Sequence, residues 1–68
     1  MKPEITNCVI QLRKKHQFTQ EELASKLGVS RQTIISIEKG KYLPSIRLAL
    51  QMAEVFNKPI EHIFTLQK

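Results

Sequence analysis

Four polar side chains in the middle of the sequence have the types and the spacing needed to form hydrogen bonds with a flat, polar partner. Arg31, Gln32 and Thr33 are consecutive, and Ser36 follows one helical turn later. Arg31 can bind guanine O6 and N7 through two donors, and Gln32 can bind adenine through a donor and an acceptor. Thr33 can contact a thymine methyl group or a phosphate. These four residues are therefore candidates for reading the edges of base pairs.

Such side chains need a helix to hold them on one exposed face, and the stretch 19–38 predicts two helices joined by a tight turn. Thr19 is a good N-cap, and Glu22 three residues later completes a capping box. Gly28 tolerates the left-handed conformation that ends a helix, and Ser30 can cap the next one. Apolar residues at helical spacing mark the inner faces of both helices: Leu23, Ala24, Leu27, Ile34 and Ile37. Two helices joined this closely must cross at a steep angle.

These caps, the small Ala24, the turn glycine and the apolar spacing resemble the helix-turn-helix pattern of the phage repressor and Cro-like (Xre) family of bacterial regulators. The resemblance extends from about Val9 to Phe64 and is closest to the short stand-alone members of that family. It implies an all-α, five-helix, lambda-repressor-like DNA-binding domain in which helices 2 and 3 form the helix-turn-helix. With 68 residues there is no room for a second domain, so residues 1–68 are expected to form one.

Apolar spacing predicts the remaining helices. Residues at i, i+4 and i+7 predict a first helix over 4–16. Ser45 is the predicted N-cap of a fourth helix that reaches about Phe56, and its wide apolar arc indicates a central position. A short fifth helix is predicted over 60–64, and residues 65–67 can be extended.

Arg13 and Glu38 form a predicted ion pair on the strength of the resemblance. In the family, an arginine at the matching place on the first helix pairs with the glutamate that matches Glu38 and ties helix 1 to helix 3. We interpret the pair as structural rather than catalytic. An exposed Arg13 without a partner is the alternative.

Positive charge is concentrated in one part of the chain. Lys and Arg outnumber Asp and Glu by 11 to 6, and residues 26–47 contain five basic residues against Glu38 alone. An asymmetric basic patch is typical of a protein that binds a polyanion. A basic face that merely keeps the protein in solution is the alternative.

Contacts with the DNA backbone are predicted at the two helix starts and in the loop after the second helix. Backbone N–H groups and nearby polar side chains in such places hold phosphates without reading sequence. The predicted residues are Thr19, Gln20, Ser30, Lys39, Lys41, Tyr42 and Arg47, of which Arg47 matches a place from which family members reach the backbone or minor groove. Ile35 is apolar on a largely polar face, and it either contacts a methyl group or shields helix 1.

One helix reads only a few base pairs, so we expect a two-fold dimer whose reading helices lie about 34 Å apart. Surplus apolar residues near the C-terminal end, within 57–68, predict the dimer interface at Ile63, Phe64 and Leu66. In the alternative interpretation these side chains only close the core of the monomer. The expected function is that of a sequence-specific transcriptional regulator, most simply a repressor, that binds a short palindromic operator as a homodimer.

Other classes of protein fit the sequence less well. It contains no Gly-rich phosphate loop, metal cluster or Ser/His/Asp set, so neither an enzyme nor a cofactor is expected. A protein-interaction module is a stronger alternative, because small family members can act as antitoxins that bind both a partner and DNA. Cys8 is the only cysteine, and neither a signal peptide nor an apolar span of about 20 residues occurs, so a cytoplasmic protein is expected.

Overall fold

The computed structural model describes residues 4–67, so the first three residues and Lys68 of the predicted domain 1–68 lie outside the described part. The elements in chain order are β1 (Glu4–Asn7), α1 (Val9–Lys15), α2 (Gln20–Leu27), α3 (Arg31–Glu38), α4 (Ile46–Phe56), a 3-10 helix (Ile60–His62) and β2 (Phe64–Gln67). No helix within this range is long and apolar enough to cross a lipid bilayer.

The prediction of an all-α, five-helix domain is wrong. Residues 4–67 form four α-helices and a two-stranded antiparallel sheet that pairs β1 with β2. The predicted first helix loses its first turn to β1, and the predicted fifth helix is divided between the 3-10 helix and the start of β2. The extended conformation expected for residues 65–67 is observed.

The error at the first helix has a local cause and a long-range cause. Ile5 fits a helical repeat with later apolar residues, but β-branched side chains such as Ile5 and Thr6 also favour strands. The sheet register pairs Ile5 with Leu66, which is far away in the sequence. Asn7 ends β1, and its Oδ1 accepts the backbone N–H of Val9, the first residue of α1, at 3.1 Å.

The hydrophobic core lies among the four helices and includes one side of α4. The central position predicted for α4 from its wide apolar arc is wrong, because Ile46 and Leu50 are 78% and 53% exposed. Leu23, Ile34, Ile37 and Met52 are all 0% exposed. On α4 the buried residues are Leu48, Ala49, Met52 and Phe56, which occupy one side of the helix. The core therefore holds the inner faces of α2 and α3 and leaves their other faces at the surface.

The caps of α2 and α3 match the sequence prediction. The Thr19 side chain accepts the Glu22 N–H at 3.0 Å, and the Glu22 carboxylate accepts the Thr19 N–H at 2.8 Å. Gly28 ends α2 with φ of 70°, in the left-handed region that favours glycine. Ser30 accepts the Thr33 N–H at 3.2 Å and caps α3. Three residues thus separate the two helices and fix how they cross.

The capping box predicts an acid sensitivity that can be tested. The hydrogen bond from the Thr19 backbone N–H lowers the pKa of Glu22 below its usual 4.5. Because the folded-state pKa is the lower one, the contribution of this bond to stability is present above the unfolded pKa and is lost as pH falls through the folded one. We therefore expect Glu22→Gln to flatten the fall of the thermal midpoint between about pH 5 and pH 3, measured by circular dichroism.

Glu21 offers a matched control for this measurement, since it lies in the same helical turn but outside the capping box. Glu21→Gln should leave the acid dependence closer to that of the wild type. Equal pH dependence in the wild type and Glu22→Gln would contradict the prediction.

Candidate nucleic-acid interface

Helix α3 presents a polar outer face because its apolar residues anchor the opposite face. Ile34 and Ile37 are 0% exposed, while Arg31 and Gln32 are exposed and Ser36 is half-buried. Gln32 Nε2 lies 3.5 Å from Ser36 Oγ, so these two side chains run along the same outward stripe. Their weak mutual contact leaves both amide and hydroxyl groups available to an external partner.

Thr33 lies at the edge of this face. It is half-buried, and its Oγ1 lies 3.0 Å from the Ser30 Oγ at the helix start. Ser30 also accepts the Thr33 N–H, so the two residues form one small polar cluster at the N-terminus of α3. This position is compatible with contact to either a phosphate or the edge of a base.

A partly buried polar network connects α3 to α1 and α2. Arg13 Nε donates to Glu38 Oε2 at 2.7 Å, and Gln20 Nε2 donates to Glu38 Oε1 at 2.9 Å. Arg13 Nη1 also donates to the Phe18 carbonyl at 3.0 Å. The side chains of Arg13 and Glu38 are only 13% and 4% exposed. The network joins α1, the start of α2 and the end of α3, so the outer face of α3 is held rigidly relative to the N-terminus of α2.

Two shallow surface grooves bring many of the predicted site residues together. The first contains Arg31 beside the N-terminus of α2, with Thr19, Gln20, Glu21 and Arg13. The second contains Tyr42 beside α3, with Ser30, Gln32, Thr33 and Ser36. The candidate base-reading residues therefore lie between two sets of candidate backbone contacts.

The remaining predicted backbone contacts lie farther along the chain. Lys39 and Lys41 are exposed in the loop after α3. Arg47 is exposed near the start of α4 and lines a groove with Thr33 and Tyr42. It also lines a different groove along the outer side of α4, away from α3.

The electrostatic character of this region follows from the burial of its one acidic side chain. The five basic residues in the range 26–47 are all exposed: Lys26, Arg31, Lys39, Lys41 and Arg47. Glu38, the only acid there, is paired with Arg13 and almost fully buried. The surface around α3 and its following loop is therefore positive, which favours a polyanionic partner.

Sequence reasoning missed two residues that support this surface. Asn7 Nδ2 donates to the Ile37 carbonyl at 2.9 Å and so connects β1 to the last turn of α3. Gln20 was assigned only to the DNA backbone, whereas its amide also completes the contacts of Glu38. An amide can donate and accept at once, but only the fold identifies its partners.

The predicted dimer residues differ widely in exposure. Ile63 is 1% exposed and belongs to the core of the single chain, and Phe64 is half-buried against that core. Leu66 is 52% exposed and lies opposite Ile5 in the sheet. Of the three residues, only Leu66 thus presents most of its side chain to a partner.

Helices α2 and α3, each of eight residues, pack their inner faces together across a three-residue turn and expose a polar, basic face on the second helix. This arrangement defines a helix-turn-helix DNA-binding domain. Within residues 4–67, no three His, Cys, Asp or Glu side chains are grouped so that they can hold a metal ion.

Comparison with known proteins leads to the same class. A family model described as helix-turn-helix matches residues 9–63. An uncharacterized HTH-type transcriptional regulator of Methanocaldococcus jannaschii is 65% identical over 49 residues, which is 72% of this chain and 74% of that protein. The uncharacterized HTH-type transcriptional regulator YgzD of Bacillus subtilis is 42% identical over 62 residues, 91% of this chain and 94% of that protein. The chain belongs to the Xre/Cro-like helix-turn-helix family, as the sequence resemblance predicts.

A solved structure with the same fold is the solution structure of LexA, an SOS-response transcriptional repressor, from Eubacterium rectale. It has a TM-score of 0.74 and 30% sequence identity, and the match covers 78% of this chain and 56% of that one. The chain therefore spans little more than half of the LexA chain. The resemblance to phage and bacterial regulators predicts a bacterial or phage source, and this stays a prediction because the relatives include archaeal as well as bacterial proteins.

Proposed function

We propose that this protein is a sequence-specific transcriptional regulator that binds a short palindromic operator as a homodimer, most simply as a repressor. The main support is the outer face of α3, where Arg31, Gln32 and Ser36 lie clear of the core beside the capped N-terminus of α2. An α-helix of this kind fits the major groove, in which all four base pairs present distinct patterns. The HTH-type regulators among its relatives support the same proposal.

Base reading is assigned to Arg31, Gln32, Thr33 and Ser36. Arg31 and Gln32 form bidentate contacts with guanine and adenine, each of which discriminates by about 1–3 kcal/mol. Ser36 reads a neighbouring base one turn on, while Thr33 contacts a thymine methyl group or a phosphate. Before they bind a base, Gln32 and Ser36 exchange only the long contact of 3.5 Å.

Backbone contacts are assigned to the residues that border this face. The N–H groups at the start of α2, with Thr19 and Gln20, hold one phosphate, and Ser30 with Tyr42 holds another on the opposite side of α3. Lys39, Lys41 and Arg47 add positive charge without reading sequence. Each neutralised phosphate releases counterions, so the affinity should fall steeply as salt is raised.

Homodimer formation doubles the number of base pairs that the protein can read. Two copies related by a two-fold axis place their α3 helices on half-sites about 34 Å apart, which produces palindromic specificity from one short helix. Repression then requires only that the dimer occupies its operator, because the bound dimer blocks the access of polymerase to the same DNA.

Selection of bound duplexes from a random pool tests this proposal. The purified protein, at moderate salt, should enrich a palindrome whose half-sites are centred about one helical turn apart. The double variant Arg31→Ala/Gln32→Ala is the control, and it should lose enrichment at the positions that these side chains read. If the wild type enriches no duplex, the proposed function is wrong.

A second candidate function is that of a module that binds a different protein as well as DNA, as antitoxins do. The observation in its favour is the exposure of apolar side chains on α4, of which Ile46 is 78% exposed. The state of association of the purified chain distinguishes the two candidates, because a homodimer self-associates without another protein.

A further inference from the structure

The three most exposed large apolar side chains of the described residues lie on α4 or in the loop that precedes it. Ile46 is 78% exposed, Leu50 is 53% exposed, and Leu43 in the preceding loop is 59% exposed. On the opposite side of the same helix, Met52 and Phe56 are 0% and 1% exposed. Helix α4 therefore has two apolar sides, and the core of the single chain uses only one of them.

Charged residues flank the exposed apolar side chains in a particular order. Arg47, Leu50 and Glu54 are spaced at i, i+3 and i+7, so they form one stripe along the outer side of α4. These three residues line a surface groove together with Gln51, Ala53 and the loop 57–59. We call this stripe, with Ile46 one turn before Leu50, the α4 outer face.

Among residues 4–67, neither Arg47 nor Glu54 has an ionic partner within 4.0 Å, although Lys58 lines the same groove four residues after Glu54. Among the described residues, the only ion pair shorter than 4.0 Å joins Arg13 to Glu38. Arg47 and Glu54 are seven residues apart, or roughly 10 Å along the helix axis, which is too far for a direct contact. Both remain exposed and can meet a partner.

Arg47 and Glu54 lie at nearly equal distances on either side of Leu50. A two-fold interface uses the same surface patch on both subunits, so that patch must be complementary to itself. Opposite charges at the two ends of an apolar centre meet this requirement when the two helices run antiparallel. Each Arg47 then faces a Glu54, and Leu50 faces Leu50.

We propose that the α4 outer face binds a second copy of this chain, with the two α4 helices antiparallel and the two-fold axis close to Leu50. Arg47 of each copy pairs with Glu54 of the other, and Ile46 extends the apolar contact on one side. The inference rests on the proposed homodimer and assigns its interface to α4 in place of the C-terminal residues expected from the sequence.

The sheet offers a less suitable surface for the same role. Its exposed apolar pair, Ile5 and Leu66, is smaller, since Ile63 and Phe64 are directed to the core. Glu4 is the only charged residue within β1 and β2. Two copies meeting there would gain no ion pair from these strands, whereas the α4 outer face offers two.

Charge reversal tests the interface by sedimentation equilibrium without DNA, because Arg47 is also assigned a backbone contact. The wild type should be dimeric at micromolar concentration. Glu54→Arg or Arg47→Glu alone should weaken self-association roughly ten- to a hundredfold, since each places two pairs of like charges in contact. The double variant Arg47→Glu/Glu54→Arg should restore the dissociation constant to within a few-fold of the wild type. Circular dichroism verifies that each variant is folded.

Two apolar variants locate the interface independently. Leu50→Asp should abolish the dimer, whereas Leu66→Asp should leave it intact, and both residues are exposed enough for the fold to tolerate the change. The proposal is overturned if the wild type stays monomeric, if the double charge reversal fails to restore association, or if Leu66→Asp rather than Leu50→Asp dissociates the dimer.

The same proteins separate this inference from the proposed function. If the wild type self-associates through α4 but enriches no DNA duplex, the regulator proposal fails and the interface stands. If a monomeric Glu54→Arg enriches a single half-site where the wild type enriches a palindrome, both stand. If the wild type is monomeric yet selects a half-site, the inferred interface fails and base reading stands.

Discussion

Glu38→Ala is expected to destabilise the protein by about 3–5 kcal/mol, because it leaves a buried charge without its partner. Glu38 accepts hydrogen bonds from both Arg13 and Gln20, and its side chain is 4% exposed. Removal of the carboxylate leaves the guanidinium of Arg13 without its ionic partner, and the Arg13 side chain is itself only 13% exposed. A domain of this size has a total stability of only roughly 3–10 kcal/mol, so much of the protein should unfold.

Urea unfolding followed by circular dichroism measures this loss. Glu38→Gln should be milder, since the amide oxygen can still accept one hydrogen bond although the charge is gone. Glu61→Ala, at an exposed position in the 3-10 helix, is the matched control and should change stability by less than about 0.5 kcal/mol. A loss below about 1 kcal/mol in Glu38→Ala would show that the network contributes little to stability.

A double replacement distinguishes the stability that the Arg13–Glu38 pair contributes from the destabilisation that an unpaired charge causes. Replacing both charges with apolar residues, as in Arg13→Met/Glu38→Leu, removes the buried charge together with its partner. We expect this double variant to be more stable than Glu38→Ala. The network would then serve chiefly to orient α3 rather than to stabilise the fold.

Arg31→Ala is expected to abolish most of the preference of the protein for its operator while weakening binding to other duplexes only modestly. Each bidentate contact with guanine discriminates by about 1–3 kcal/mol, and a symmetric dimer makes two of them. The preference for the operator should therefore fall by roughly 30-fold or more. Nonspecific affinity should fall less, because the phosphate contacts proposed for Lys39, Lys41 and the helix starts do not involve Arg31.

Fluorescence anisotropy with the selected operator and a scrambled duplex, at one fixed salt concentration, measures both affinities. Lys41→Ala is the control, since a backbone contact should weaken both duplexes alike and reduce the dependence on salt. Equal loss of affinity for both duplexes in Arg31→Ala would exclude this residue from base reading.

The helix-turn-helix was predictable because its signals are local. Thr19 and Glu22 form their capping box within one turn, and Gly28 and Ser30 end one helix and begin the next. Each of these residues acts on neighbours three or four positions away, and a sequence shows such relations directly. The boundaries of α2 and α3 follow from them.

The sheet, and the exposure of individual apolar residues, were not predictable in the same way. Ile5 suits both a helical and an extended repeat, and what decides between them is its pairing with Leu66 at the other end of the chain. Ile63 and Ile46 are equally apolar, yet one is 1% exposed and the other 78% exposed. Only the packing of α4 against the rest of the chain distinguishes a core residue from one that remains at the surface.

The pairing of β1 with β2 brings the first and the last described residues of the chain next to each other. Glu4 lies opposite Gln67, and four residue pairs join the first strand to the last. A short linker could therefore connect the two strands into a hairpin, and new termini could be opened in the exposed loop after α3 without breaking a helix. Such a circular permutant would retain every packed element in its place. Segments joined to Glu4 and Gln67 would, by the same geometry, leave the domain from a single edge.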